Sequence, residues 1–314
     1  MALLENIQIF VRTIELGSLS SAGRQLRLSP AVMSHRLQQL EAHLGVRLVN
    51  RTTRRLQLTE QGLLFFESAR HVMEALERAE SVVADAGVSA RGNVRMTAPL
   101  GLGRNMIARL ATKFQDAYPN ISLRMRLSDH LLDLLGEAVD LAVRIAILQD
   151  SSFIARKIAE CPRVLCASSG YVGANGPLEL PEDLLNHNCL LLRFPGSQQY
   201  RWTLHVDGND VTLPVQGTLD ADDGDVLTQW AKAGRGIVLK PVFEVAEELK
   251  TGELVAVLPK YRPQSVTMAV IYPHKRLMSA RTKLVSDFLV QEIAPKIAKI
   301  HDSIPPEFLN GSPA

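Results

Sequence analysis

The sequence predicts three parts: a small, mostly helical domain over residues 1–58, a long helix and hinge over 59–88, and a larger α/β domain over 89–314. Closely spaced helix-capping signals indicate the first part. A heptad-like apolar repeat indicates the second. Alternating strand and helix patterns indicate the third.

Three helices are predicted in the first domain. The first has an apolar stripe made by Leu3, Leu4, Ile7, Phe10, Val11 and Ile14. The second covers 20–26, with Ser20 as its expected N-cap. The third begins at Ser29-Pro30, an N-cap followed by proline, and ends at Gly45, which can adopt the left-handed conformation.

The third helix has two distinct faces. Its inward stripe consists of Met33, Leu37, Leu40 and Leu44. The face formed by Ala31, Ser34, His35 and Gln38 carries short or hydrogen-bonding side chains. Base edges in the major groove require such side chains, because they must be approached closely and matched donor to acceptor. The face therefore predicts a helix that reads double-stranded DNA.

A basic hairpin is expected to follow this helix. Residues 46–50 and 56–58 alternate like short strands around a tip that includes Arg51, Arg54 and Arg55. Residues 1–60 contain eight arginines, four glutamates and neither lysine nor aspartate, a formal charge of +4, whereas the whole chain carries +2. This local excess of positive charge favours phosphate contact by a wing. The alternative is an ordinary helical hairpin with a solvated basic turn.

The long helix carries an apolar seam at alternating steps of four and three. The seam consists of Phe65, Ala69, Val72, Leu76, Ala79, Val83 and Ala86, and Thr59 is the expected cap. Such a regular face predicts a dimer interface. The alternative is a core stripe packed against the chain's own domain. Residues 85–92 then have the composition of a hinge.

The remaining sequence alternates between strands and helices. Strands are predicted over 94–98, 121–127, 141–145, 164–167, 236–239 and 266–272, and helices over 101–117, 131–138 and 280–294. This order indicates a doubly wound α/β module.

The motifs of the first 90 residues resemble those of LysR-type transcriptional regulators. The matching segments are Gly17–Ala22, Leu28-Ser29-Pro30, Leu40–Leu48 and Arg51–Gly62. The rest of the chain is similar to that family's effector domain. The resemblance implies a winged helix-turn-helix, with Ser29 and Pro30 among its DNA contacts. Gly23, where the family usually has alanine, is expected to loosen its helix. His35 stands where arginine is commoner.

The resemblance also implies a two-lobed effector domain like that of periplasmic solute-binding proteins. Lobe I would cover 93–161 and 267–294, and lobe II 162–266. The effector would bind between the lobes. The implied contacts are Pro99, Leu100, Gly101, Ser128, Asp129, His130, Arg144, Ile145, Asp222 and Asp223. Residues 194–197 and Lys240 are weaker candidates.

Three features favour an organic anion as the effector, and one of them is the polar loop Ser128–His130. The helix start near Pro99–Gly103 offers backbone N–H groups, and Arg144 emerges at the end of a buried strand. The partner of Arg144 is either a ligand carboxylate or an internal aspartate such as Asp150. The alternative is that Asp150 or Asp129 neutralises Arg144 and that the cleft holds a neutral, apolar ligand.

Several classes of function lack support in the sequence. Gly101 and Gly103 begin a GxGxxG-like pattern that fails at Met106, and neither GxSxG nor a metal-ligand spacing is found. No cofactor or metal is expected. Cys161, Cys166 and Cys189 fit a reduced, cytoplasmic setting, as buried thiols or, as the alternative, a redox pair. Residues 1–10 lack a signal-peptide pattern, and no apolar run is long enough for a membrane helix.

The sequence thus predicts a cytoplasmic, DNA-binding transcriptional regulator controlled by a small molecule. Lobe closure around the effector would change how paired DNA-binding heads are placed. The family resemblance implies a homodimer that assembles to a homotetramer, with RNA polymerase as a further candidate partner. The alternatives are an α/β enzyme with an accessory DNA-binding module and a solute-binding protein.

Overall fold

The computed structural model describes residues 2–52, 55–84, 90–130, 139–147, 153–193, 200–273 and 278–305. The chain forms two compact units, Met1–Ser89 and Ala90–Ala314. The predicted helix at 131–138, the predicted lining segment 194–197, Arg54 and Asp150 lie outside the described residues.

The N-terminal unit consists of four helices and a two-stranded hairpin. Its elements are α1 (Ala2–Glu15), α2 (Leu19–Leu26), α3 (Pro30–Leu44), β1 (Val49–Thr52), β2 (Arg55–Leu58) and α4 (Glu60–Ala84). β1 and β2 are antiparallel, with Val49 opposite Leu58. Residues of α1, α3, β1 and α4 share one core, which includes Phe10, Leu37 and Leu40.

Two details at α2 differ from expectation. Ser18 rather than Ser20 is the N-cap, because the Ser18 hydroxyl accepts a hydrogen bond from Ser21 N–H at 3.0 Å. Gly23 was expected to loosen the helix. The structure gives it a packing role, because a Cβ there would lie 2.8 Å from the carbonyl oxygen of Leu28.

Lobe I of the C-terminal unit is built on a five-stranded sheet. Its strands are β3 (Gly92–Ala98), β4 (Ile121–Leu127), β5 (Leu141–Ala146), β6 (Phe153–Cys161) and β15 (Val266–Pro273), in the order β4-β3-β5-β15-β6. The first three are parallel, and β15 is antiparallel to both of its neighbours.

Three consecutive helical segments connect β3 to β4. They are α5 (Leu100–Leu102), a π-helical stretch (Gly103–Ile107) and α6 (Ala108–Ala117). The sequence predicts this connection as one regular helix, and its π geometry was not anticipated. Glycine at 103 permits the close approach of this segment to β4, because a Cβ would lie 2.2 Å from the Leu127 side chain.

Lobe II contains two sheets and several short helices. One sheet has the order β11-β8-β12-β7-β13, and the other the order β10-β9-β14. The strands are β7 (Arg163–Ala167), β8 (Cys189–Leu192), β9 (Arg201–Val206), β10 (Asn209–Pro214), β11 (Asp220–Ala221), β12 (Ile237–Pro241), β13 (Val255–Ala256) and β14 (Arg262–Pro263). The helices are α7 (Ser169–Asn175), α8 (Gly224–Lys232), α9 (Ala246–Thr251) and the 3-10 turns Pro181–Asn186 and Val242–Glu244.

The last helix, α10 (Ala280–Asp302), is longer than predicted. Val285, Leu289 and Ile293 pack in the core of lobe I. Beyond the predicted end at 294, Ile297 still packs in the core of lobe I, whereas Ile300 and Ile304 belong to a cluster of lobe II. Pro295 lies inside the helix, between Ile293 and Ile297 of the lobe I core.

Candidate functional site

The start of α3 is defined by local hydrogen bonding. The Ser29 hydroxyl accepts a bond from Val32 N–H at 3.3 Å, Pro30 occupies the first turn, and Gly45 ends the helix with a φ of 70°. Met33, Leu37 and Leu40 are fully buried, and Leu44 is half-buried. Because this stripe fixes the rotation of α3, the opposite face points to solvent.

The solvent face contains most of the predicted DNA-reading residues. Ala31, His35 and Gln38 are exposed, and Ser34 is half-buried. A ring nitrogen of His35 is 3.1 Å from the Gln39 amide, so this side chain has an intrahelical partner on the helix surface.

Val32 is a candidate contact that the polar pattern missed. Its side chain is 40% exposed on the first turn of α3, although it is apolar. Apolar side chains at this place can contact the methyl group of thymine. A pattern of hydrogen-bonding residues does not include it, but its position beside Ala31 could have indicated it.

Arg36 has a structural role beside the reading face. Its guanidinium donates to the Asn6 side chain at 3.3 Å and pairs with Glu5 at 3.1 Å. These contacts join α3 to α1, so they support the orientation of the exposed face.

The hairpin after α3 is held at its base. Both Leu48 N–H and Val49 N–H donate to the Glu41 carboxylate, at 2.9 and 3.2 Å. The Thr59 hydroxyl donates to Arg47 O at 2.7 Å and accepts from Gly62 N–H. The backbones of Arg51 and Arg55 lie in β1 and β2, while their side chains lie outside what the structure describes.

The predicted seam of α4 divides into two sets. Ala69 is only 2% exposed and, with Phe65, packs in the core of its own unit; the Phe65 ring lies 5.6 Å from that of Phe10. This packing corrects the prediction at these two positions, where the core-stripe alternative applies. Val72 is 45% exposed and Leu76 half-buried. The side chains of Ala79 and Val83 are not among those described.

Asp129 lies between the N-termini of two helices, one from each lobe. One carboxylate oxygen accepts a hydrogen bond from Leu100 N–H at 2.7 Å, and the other accepts one from Gly224 N–H at 3.3 Å. These are the first residues of α5 and α8. The geometry shows that backbone donors of both lobes can serve one carboxylate group.

Arg104 and His130 add side-chain contacts across the same interface. Arg104 pairs with Asp223 at 2.9 Å and with Asp225 at 3.1 Å. His130 is 3.2 Å from Asp222. Asp222 and Asp223, predicted as effector contacts, are therefore engaged with lobe I. Arg104 was missed, because the residues that define its role are distant in sequence.

Arg144 is a buried cation inside β5, which continues to Ala146, whereas the sequence predicts it at the end of the strand. It is 8% exposed and donates to Val143 O at 3.1 Å and to the Thr97 hydroxyl at 3.3 Å. In the described ranges, no carboxylate oxygen lies within 4.0 Å of its guanidinium. Burial lowers the pKa of Arg144 to about 10, partly opposed by the charge of Asp129, so it stays protonated at neutral pH.

The other predicted effector contacts occupy supporting positions. Pro99 precedes α5, and a Cβ on Gly101 would lie 2.6 Å from the Asp225 carboxylate. Ser128 accepts a hydrogen bond from His130 N–H at 3.1 Å. Ile145 is half-buried and packs against the core of lobe I. Buried Lys240 donates to Gly224 O at 3.1 Å and pairs with Glu244, so it supports the start of α8.

Metal-binding clusters and membrane helices are both absent from the part of the chain that the structure describes. No three His, Cys, Asp or Glu side chains there are grouped so that they could hold a metal ion. No described helix combines the length and apolar character needed to cross a bilayer.

The chain combines a helix-turn-helix unit with a two-lobed α/β unit, which is the architecture of a DNA-binding protein that also has a domain for small molecules. Two family models match it. "Bacterial regulatory helix-turn-helix protein, lysR family" matches residues 4–63, and "LysR substrate binding domain" matches 88–294. The chain belongs to the LysR family of transcriptional regulators, as its motifs predict.

Named relatives agree with this assignment. The transcriptional regulator DmlR of Escherichia coli K12 is 31% identical over 294 residues, covering 94% of this chain and 95% of DmlR. A regulator of Xanthomonas campestris is 34% identical, covering 92% and 85%. Both are named as transcriptional regulators, which confirms the prediction that the chain is a regulator and not an enzyme.

Solved full-length structures resemble the chain. Full-length AphB of Vibrio cholerae has a TM-score of 0.60 and 30% identity, covering 92% of this chain and 98% of AphB. CrgA of Neisseria meningitidis has a TM-score of 0.58 and 29% identity, with the same coverage. These similarities confirm the predicted fold class, an N-terminal helix-turn-helix domain followed by an α/β regulatory domain.

Proposed function

We propose that this regulator reads its operator with the exposed face of α3 and responds to a small organic acid bound between the lobes. DNA contacts would come from Ser29, Pro30, Ala31, Ser34, His35 and Gln38, with the wing arginines on phosphates. The protein would act in the cytoplasm as a homotetramer built from dimers, with 1–58 as the reading domain, 59–88 as the dimerising linker and 89–314 as the effector domain.

The observation that carries the effector proposal is Arg144. A buried guanidinium loses hydration, and the Thr97 hydroxyl and Val143 carbonyl are neutral partners. A ligand carboxylate would supply the missing counter-charge in a place from which water is partly excluded.

Asp129 supports the same ligand chemistry. Helix N-termini favour negative charge, and the N–H groups of Leu100 and Gly224 already donate to a carboxylate. An effector carboxylate would bind beside Asp129 or replace it at one of these donors. Because the donors belong to different lobes, the exchange would alter how firmly the lobes are joined.

Calorimetric titration of the full chain with small carboxylic acids and their matched amides tests this proposal. The acids should bind more tightly than the amides, and Arg144→Met should abolish the difference. Arg109→Met is the matched control, because Arg109 is exposed on α6 of the same lobe. Arg144→Lys keeps the charge and should retain part of the preference. Equal affinity for acid and amide would contradict an anion site.

A second variant separates the role of Asp129. Asp129→Asn keeps the shape of the side chain but removes the charge that competes with a ligand carboxylate. The acids should then bind more tightly, whereas Asp116→Asn, at an exposed position on α6, should not change their affinity. Weaker acid binding by Asp129→Asn would show that Asp129 orients the ligand and does not compete with it.

The salt dependence of DNA binding tests the proposed phosphate contacts of the wing arginines. Arg54→Ala should weaken all duplexes similarly and lower the salt slope by about one unit for each phosphate that the variant no longer neutralises. An unchanged salt slope would show that Arg54 does not contact DNA phosphates.

A further inference from the structure

The two strand-to-strand crossovers between the lobes run side by side. Pro162 connects β6 of lobe I to β7 of lobe II, and residues 264–265 connect β14 back to β15. The Arg163 Nε donates to Gln264 O, so a hydrogen bond links the two crossovers directly. A change in the angle between the lobes would therefore alter the backbone of both crossovers.

A cavity of about 300 Å³ opens at this crossing. Its wall includes Pro162, Arg163, Gln264 and Arg262, together with His205 and Asp210 from the neighbouring hairpin of β9 and β10. The volume is at the small end of the range for ligand sites, which suits a compact molecule.

The wall carries more positive than negative charge. Arg163 and Arg262 face the cavity with one carboxylate, Asp210, whose oxygen already lies 3.2 Å from His205 Nδ1. Neither arginine has a carboxylate oxygen within 4.0 Å among the residues that are described. Arg163 is half-buried, and its burial lowers its pKa to about 10. The cavity therefore contains a desolvated cation whose charge is not balanced by a direct partner.

We propose that this cavity is a second ligand site, for a compact oxyanion such as a phosphate or carboxylate group bound between Arg163 and Arg262. Guanidinium groups bind both kinds of oxyanion through paired, charge-assisted hydrogen bonds. Because the wall includes both crossovers, the anion binds best at the lobe angle that assembles it. Occupancy of the hinge is thus coupled to the lobe interface, whatever ligand that interface takes.

Tryptophan fluorescence of the full chain provides a local readout. Both tryptophans, Trp202 and Trp230, lie in the C-terminal unit, so phosphate bound by the basic N-terminal unit is not reported directly. Orthophosphate and acetate are the two probes, each compared with chloride at the same ionic strength. At least one of them should give a saturable change that chloride does not, and the stronger probe identifies the preferred oxyanion.

Matched variants locate the effect. Arg262→Gln, at an exposed position, should raise the oxyanion concentration that gives half of the fluorescence change by about tenfold or more. This is the effect expected when a hydrogen bond to a charged group is removed. Arg201→Gln removes an exposed arginine from the same three-stranded sheet but outside the cavity wall, and should bind like the wild type. Arg163→Gln gives an independent test on the crossover itself.

Two results would overturn the proposal. One is a response to both probes no greater than that to chloride. The other is equal weakening by Arg262→Gln and Arg201→Gln, which would indicate general charge screening. Because Arg144 is not in this cavity, Arg144→Met should leave the response intact, and this separates failure here from failure of the effector site between the lobes.

Discussion

Arg104 of lobe I pairs with Asp223 of lobe II at 2.9 Å, and Asp223 is at the same time the N-cap of α8, accepting a hydrogen bond from Asp225 N–H at the same distance. The Asp223 carboxylate thus pairs with Arg104 of the opposite lobe and also caps the start of α8. Separation of the lobes would remove a charged partner from that helix start.

Arg104→Gln should loosen the first turn of α8. Exposed ion pairs contribute about 0.2–1 kcal/mol, so amide exchange at Asp225 and its neighbours should rise by about fivefold or less. Hydrogen exchange measured on the full chain checks this. Lys113→Gln is the control, because it breaks an exposed pair with Glu292 inside one lobe. Equal exchange at α8 in both variants would mean that Arg104 does not support the helix.

Gln38→Ala should weaken binding to the best operator by about 1–3 kcal/mol and relax the preference at one base pair. The variant lacks the exposed amide that would form hydrogen bonds with a base edge. Selection from randomised duplexes, followed by affinity measurements, gives both quantities. Gln25→Ala on α2 is a matched exposed control. Unchanged base preference in the Gln38 variant would show that α3 docks differently.

Val72→Glu should weaken self-association of the chain. The side chain is an exposed apolar group on the proposed linker, and two buried carboxylates would meet there in a dimer. Sedimentation over a range of concentrations measures the effect, and Glu67→Gln on the same helix is the control. If the Val72→Glu protein dimerises like the wild type, the face of α4 around Val72 is not part of the dimer interface.

Gly62→Ala should destabilise the N-terminal unit by at least about 1–3 kcal/mol. A Cβ at this position would lie 2.0 Å from Leu48 O, so α4 must move away from the base of the hairpin. Chemical unfolding followed by circular dichroism measures the loss of stability. Gly170→Ala, at a helical glycine with open space around it, should be neutral or slightly stabilising. Similar destabilisation in both variants would contradict the packing argument.

The three cysteines should be inert in the folded chain. Cys161, Cys166 and Cys189 are buried, and burial raises the pKa of each thiol to about 12. Thiolate, the reactive form, is therefore scarce at pH 8. A colorimetric thiol assay should find less than one reactive group per native chain and all three in denaturant. Because the folded-state pKa values are raised, stability should fall as the pH rises above about 9. Rapid reaction of a cysteine thiol in the native chain would support the alternative of a redox pair.

Short-range signals predict much of this fold. Ser29-Pro30, Gly45 and the buried stripe of α3 act within a few residues, so a single sequence is enough to place that helix. The contacts of the site depend on distances that a sequence does not show. Arg104 and Asp223 are separated by 119 positions, and neither has a local pattern that indicates the other.

The seam of α4 shows a different limit. A repeat of four and three identifies an apolar face but does not say what covers it. Here Ala69 is covered by the chain's own core, while Val72, less than one turn further, remains exposed. Helical period alone cannot distinguish these two environments, because both favour the same residue types.

The path of α10 has a practical consequence for engineering. The family model ends at residue 294, which invites truncation of a sensor module just before Pro295. That cut would remove Ile300 and Ile304 from the cluster that contains Val242 and Leu254, leaving an apolar surface on lobe II open to aggregation. A biosensor derived from this chain should therefore keep residues 295–304, which supply Ile297 to the core of lobe I as well as Ile300 and Ile304 to lobe II.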